Sequence, residues 1–143
     1  MLGTARIRAL IPQQGAMCLL AAALRWDGRE IRCRAVSHLD PANPLRAEGR
    51  LGAVTGVEYG MQAAALHGAL TADAAPGVIA GLRRIALFVP RLDVAAFGAL
   101  AVRARVRLSD PRGMIYDFWV RAADGRLLVA GQGTIVTDAA GPE

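Results

Sequence analysis

Apolar and polar side chains alternate at three places along the chain. Ile31, Cys33 and Ala35 alternate with Glu30, Arg32 and Arg34, the period-two pattern of a strand with one buried face. The run 102–108 repeats it, with Arg103, Arg105 and Arg107 on the polar side, and 114–120 adds a strand carrying Tyr116, Phe118 and Trp119. Stretches 77–89 and 127–137 read as two further strands. Asp110-Pro111-Arg112-Gly113 and Asp124-Gly125 are hairpin turns. Upstream, Asp27-Gly28-Arg29 joins 21–26 to 30–37 as a hairpin, although three alanines in 21–27 also suit a helix. Residues 16–20 read as a helical turn, and 5–10 as a short strand or a tail.

One segment follows the helical period instead. Residues about 53–70 contain a single formal charge, Glu58, among Val54, Val57, Tyr59, Met61 and Leu66. A helix apolar nearly all round has to be wrapped by other structure. Gly56, Gly60, Ala64 and Gly68 fall four apart and form a slim edge against which a sheet can come close. Each interior glycine costs about 1 kcal/mol of helix propensity, which packing must offset. Before the helix, 38–52 is a long loop with Pro41, Pro44, Gly49 and Gly52, and loops of that length commonly bind or catalyse. The order is hairpin, loop, buried helix, then four strands in a meander. It predicts an α+β chain, residues 1–143 as one domain, with a curved antiparallel sheet around a central helix.

Composition changes this picture little. The chain has 143 residues, 54% of them hydrophobic, enough for a core without disulfides. Cys18 and Cys33 stand among apolar neighbours and are expected as buried thiols in a cytoplasmic protein. No charge-free apolar run approaches membrane length, and Pro12-Gln13-Gln14 interrupts the N-terminal stretch, so neither a signal peptide nor a membrane span is expected. All 17 basic residues are Arg, and 29 residues are Ala, which reads as compositional bias of the source. The net charge is +5, and Arg32 and Arg34 share one strand face while Arg103, Arg105 and Arg107 share another. Such faces are commonly solvated, and they also steer acidic partners. A nucleic-acid partner is not expected, because no helix-turn-helix or zinc module appears.

Glu58 is the first candidate for chemistry. An unpaired carboxylate in an apolar setting is costly, so it is expected either to be paired or to hold its proton, as a general acid would. Gln62 lies one turn later on the same face and can hydrogen-bond it. His38 opens the long loop where a base could reach a pocket, and it also reads as a plain loop imidazole. His67 points elsewhere on the helix and reads as packed. Two His and two Cys match no zinc pattern, and no metal is expected.

The stretch Gly56-Val57-Glu58-Tyr59-Gly60-Met61-Gln62-Ala63 resembles the central-helix signature of hotdog-fold beta-hydroxyacyl-acyl-carrier-protein dehydratases, most of all the aryl-polyene-cluster branch. Ile11-Pro12 with Met17 and Leu19-Leu20, the loop from His38 through Asn43 to Leu45, and Ala65-Leu66-His67-Gly68 are similar to that branch too. The resemblance implies a lyase of fatty acid or polyene biosynthesis that dehydrates a 3-hydroxyacyl thioester to the trans-2-enoyl thioester. It implies a dimer of hotdog subunits and an acidic acyl carrier protein as partner. No cofactor is implied beyond the phosphopantetheine that carries the substrate. By the same resemblance Glu58 matches the acid, Gln62 its helix partner, Ala53 and Val54 the amides that hold the thioester carbonyl, and Asn43 and Leu45 fall in the substrate loop. The acyl chain is expected in a tunnel between helix and sheet.

The base departs from the pattern. Related dehydratases carry their histidine about fourteen residues before the acid, where this chain has Pro44. His38 stands 20 residues before Glu58 (58 − 38). Two pictures follow: His38 is the base of a homodimer, or the subunit contributes Glu58 to a heterodimer with a histidine-bearing hotdog chain. A hotdog thioesterase and a non-catalytic acyl-thioester binder are the competing functions.

Overall fold

The computed structural model describes residues 1–71 and 77–136. Its elements are β1 (Leu2–Gly3), α1 (Thr4–Leu10), β2 (Ala22–Trp26), β3 (Glu30–Ala35), α2 (Gly56–Thr71), β4 (Val78–Leu87), β5 (Leu100–Asp110), β6 (Gly113–Arg121) and β7 (Leu127–Val136). The strands form one antiparallel sheet in the order β1-β2-β3-β5-β6-β7-β4. The sheet curves around α2, as the element order predicted, in the hotdog arrangement that the resemblance implied.

Helix and sheet meet where the small residues are. A Cβ on Gly56 would lie 2.8 Å from Val129 of β7, and one on Gly60 would overlap Phe118 of β6. The missing side chains let the backbone of α2 sit directly on the fully buried Phe118, Tyr116 and Val129. Burying each such large apolar side chain is worth about 1.5–3 kcal/mol, which outweighs the helix-propensity cost of the glycines. The layer between α2 and its own sheet is therefore packed at these points.

Three sequence expectations also change. Residues 4–10 are helical because Ile7, Leu10 and Ile11, spaced three and four apart, turn to the core, although Arg6-Ile7-Arg8 imitates strand alternation. Residues 16–20 hold only a 3-10 turn, Gly15–Met17, after which Cys18 is extended. The four strands after the helix are not a simple meander. β5, β6 and β7 are consecutive neighbours, but β5 pairs with β3, and β4 pairs with β7 at the far edge. The final strand matches its expected start at residue 127, and residue 137 lies outside the described residues.

Sheet register aligns the arginines. Arg25 faces Arg32, Arg32 faces Arg103, and Arg103 faces Trp119 across β2, β3, β5 and β6. The Arg103 guanidinium lies over the Trp119 ring, 5.0 Å from its centroid. Glu30 meets Arg103 at 2.6 Å and Arg32 at 3.9 Å, which offsets part of the repulsion along the row. Cys18 and Cys33 are buried free thiols, and burial pushes the Cys33 thiol up to about 12.

Candidate active site

α2 starts from a 3-10 turn, Ala53–Thr55, entered through an extended Gly52. The Thr55 hydroxyl donates back to the Gly52 carbonyl at 2.7 Å. Glu58 follows in the first turn of α2. On the helical wheel it lies opposite Gly60, the residue pressed on the sheet, so its half-buried carboxylate projects from the outer face of the helix.

Gln62, one turn on and wholly buried, aims at it. Leu19 N–H donates to Gln62 Oε1 at 2.9 Å, and Gln62 Nε2 donates to the Met17 carbonyl at 2.7 Å and to Glu58 Oε1 at 3.3 Å. The first two bonds fix which way the amide faces, so the remaining N–H has one direction available. That N–H caps one carboxyl oxygen of Glu58 and leaves Oε2 free.

His38 is built differently. It sits in a 3-10 turn, Ser37–Leu39, with no exposed surface. Its Nε2 lies 2.8 Å from the Gly98 carbonyl. A carbonyl only accepts, so Nε2 carries the proton and Nδ1 is the bare acceptor, which is buried without a hydrogen-bond partner. Burial holds the imidazole below its ordinary pKa. The ring is thus a neutral base in a set tautomer, but its one side-chain hydrogen bond goes to Gly98. Glu58 is bonded to Gln62, and the structure does not join the two groups within one chain.

The loop after His38 is folded around Arg46. Its guanidinium donates to the carbonyls of Asp40 (2.9 Å), Gly49 (3.1 Å) and His38 (3.2 Å) and to Asp93 Oδ2 (3.2 Å). Asp93 is in turn gripped by Arg91 at 2.8 and 2.6 Å. Those charge-assisted bonds hold its carboxyl far below the usual carboxylate range. The clamp ties the loop to residues 91–93. Sequence reasoning missed it, and the visible signal was the Arg91-Leu92-Asp93 triplet.

Two loop residues expected at the substrate are engaged in this folding. Asn43 Nδ2 donates to the Ser37 carbonyl (2.9 Å) and the Tyr59 hydroxyl (3.3 Å), and its Oδ1 accepts from Leu45 N–H (2.9 Å). Leu45 packs against the core. Ala53 N–H donates to the Pro90 carbonyl at 3.1 Å and is not free for a thioester oxygen, whereas Val54 beside it is 60% exposed. His67 is packed, as expected. Its Nδ1 lies 2.7 Å from the Tyr116 hydroxyl and its Nε2 2.8 Å from the Asp27 carbonyl, which pins α2 to β6 and to the β2–β3 turn. Among the described residues no cluster of His, Cys, Asp or Glu has the makings of a metal site.

Residues 5–139 match the protein family described as ApeP-like, ApeP dehydratase. The chain belongs to the ApeP-like dehydratase family. Its fold is similar to a chain of the dehydratase heterocomplex ApeI:P from Xenorhabdus doucetiae, with a TM-score of 0.79 at 19% identity over 98% of this chain and 93% of that one. It is also similar to AziG from S. sahachiroi (TM-score 0.66, 18% identity, covering 85% and 91%). A thioesterase from Haemophilus influenzae is a third relative in fold (TM-score 0.68, 14% identity, covering 95% and 90%). No curated protein matches. Among the described residues of this ApeP-like chain, no helix is long and apolar enough to cross a membrane.

Proposed function

We propose that this chain is the acid-bearing half of a heteromeric hotdog dehydratase acting on 3-hydroxyacyl thioesters of an acyl carrier protein. The observation that carries the reading is the Glu58–Gln62 pair on the outer face of α2, one carboxyl oxygen capped and the other free. In the reaction a base takes the proton from C2, the C2–C3 double bond forms, and the C3 hydroxyl leaves as water with the proton that Glu58 Oε2 delivers. His38 is sealed inside its own subunit, so the base comes from an imidazole on a second hotdog subunit laid over the outer face of α2. The ApeI:P heterocomplex, whose chain has a similar fold, supports a pairing of two different subunits. Val54, at the exposed start of the helix, is the remaining amide to meet the thioester carbonyl, and the basic outer sheet face suits an acidic carrier. The substrate arrives on phosphopantetheine, and the mechanism uses no further cofactor.

Glu58→Gln tests it in the complex with the partner subunit. The substitution keeps the shape and the contact with Gln62, so Tm should move by no more than about 2 °C. Formation of the enoyl thioester should fall at least about a hundredfold, mainly in kcat. Activity within about threefold of wild type removes Glu58 from the acid role. Release of free thiol in place of enoyl product assigns thioesterase chemistry, and binding of acyl thioester with no turnover in any pairing assigns a non-catalytic subunit.

A further inference from the structure

β4 is the one long strand at an edge of the sheet, since β1 at the other end has two residues. Its inner face is apolar and uncovered. Leu82 and Ile85 approach the positions that side chains on Gly133 and Gly131 of β7 would take, beside Met61 of α2. Ile79 and Leu87 stand opposite Ile135 and Val129 on the same face. These four are 37–47% exposed, unlike the inner faces of β3 and β6. An open apolar edge of this kind joins another strand.

The same strand carries two positive charges and no acidic residue. Arg83 and Arg84 are the sixth and seventh of its ten residues, near its midpoint. Arg83 faces Gln132 on the outer side of the sheet, and Arg84 lines the outer hollow with Trp119, Gln132 and Asp117, whose carboxylate is paired with Arg107. Among the described residues no carboxylate lies within ion-pair distance of either. Arg84 has φ 56°, within one of the two places where β4 gains a residue on β7, between Arg83 and Ala86. A bulge of this sort bends the strand and leaves one residue out of the ladder, here beside the arginine pair.

Symmetry makes the charges decisive. Two copies of β4 paired antiparallel about a two-fold axis bring both Arg83 and both Arg84 together around that axis, because both lie near the strand centre. Like charges at facing or diagonal positions oppose pairing, and each chain brings a net charge of +5. We propose that the β4 edge takes a different chain whose facing edge strand carries carboxylates, and that Arg83 and Arg84 exclude a second copy of this chain. The proposal rests on the reading that a second subunit completes the Glu58 site. It adds the chemistry by which that subunit is chosen: the apolar stripe drives association and the arginine pair selects against self.

The full chain itself supplies the probe. Wild type, the acidic-edge variant Arg83→Glu/Arg84→Glu, and their equimolar mixture are compared by sedimentation velocity at about 50 mM salt, with circular dichroism as the check on folding. The mixture should associate about tenfold more tightly than either chain alone, and about 0.5 M salt should erase that preference. The neutral-edge variant Arg83→Gln/Arg84→Gln should self-associate more tightly than wild type, and it decides the matter if the acidic-edge chain does not fold. A mixture no tighter than its components, or a wild-type homodimer indifferent to salt and to the neutral substitution, overturns the proposal. Turnover is not read here, so a failure of edge selection and a failure of the Glu58 chemistry remain separate results.

Discussion

Replacing Gln62 with Ala should cost both stability and rate, and the structure sets the size of the first. Gln62 is wholly buried and satisfies two backbone groups 43 and 45 residues away in sequence, the Leu19 N–H and the Met17 carbonyl. Stranding a buried donor or acceptor costs about 1–3 kcal/mol. Two stranded groups, with some relief from water entering the space, give about 2–5 kcal/mol, or a drop in Tm of about 5–15 °C for a chain of this size. Urea unfolding followed by the fluorescence of Trp26 and Trp119 measures it, with the midpoint falling and the slope unchanged. If Glu58 is the acid as proposed, kcat in the assembled enzyme should fall by about tenfold with KM nearly constant, since the lost N–H orients Glu58 and does not hold the substrate. Gln62→Glu is a second variant for the same assay. It keeps an acceptor for Leu19 but sets a carboxylate against the Met17 carbonyl and Glu58, so it should destabilise as well. A loss below about 1 kcal/mol in Gln62→Ala refutes the reasoning, because the backbone groups would then have other partners.

Gly60→Ala gains helix propensity but drives a methyl into Phe118, and a net loss of at least about 2 kcal/mol is expected in the same urea assay. Acidification below about pH 6.5 should weaken the fold. His38 and His67 are both held below their ordinary pKa, chiefly by burial, so below that pH the unfolded chain binds protons that the folded chain refuses. Stability from these two is thus present above pH 6.5 and lost as pH falls, and a urea midpoint that is flat from pH 7 to pH 5 contradicts it. Asp93→Asn should leave Arg46 and Arg91 sharing a neutral partner and lower stability by about 2–4 kcal/mol, read from the thermal midpoint at pH 7.

Much of the site was legible because its signals are local. The four-residue spacing of Glu58 and Gln62 places them together on any helix, and the glycine series marks the face that meets the sheet. Neither needs knowledge of the rest of the chain. His38 could not be judged that way. Whether its imidazole turns outward to a substrate or inward to the Gly98 carbonyl depends on residue 98, brought beside it by the pairing of β3 with β5. Asn43, Leu45 and Ala53 lie in or beside the segment that resembles a substrate loop. Their polar groups and side chains are nevertheless claimed by Ser37, Tyr59, the core and Pro90, through contacts that no spacing encodes.

Alternation and turn residues told by themselves that 30–35, 102–108 and 114–120 are strands and where the buried helix runs, because those properties repeat along a single element, whereas the short helix at 4–10 was hidden by its strand-like Arg6-Ile7-Arg8. Strand neighbours were decided only in three dimensions. β4 follows the helix in sequence, yet β5 is the strand that joins β3, and β4 closes the opposite edge. The choice between those edges is set by how the curved sheet wraps α2 and covers it, an energy summed over the whole sheet that leaves no mark on the period of one strand. The same closure leaves the apolar stripe of β4 open with its arginine pair, a surface that shows in the folded subunit and not in the linear pattern.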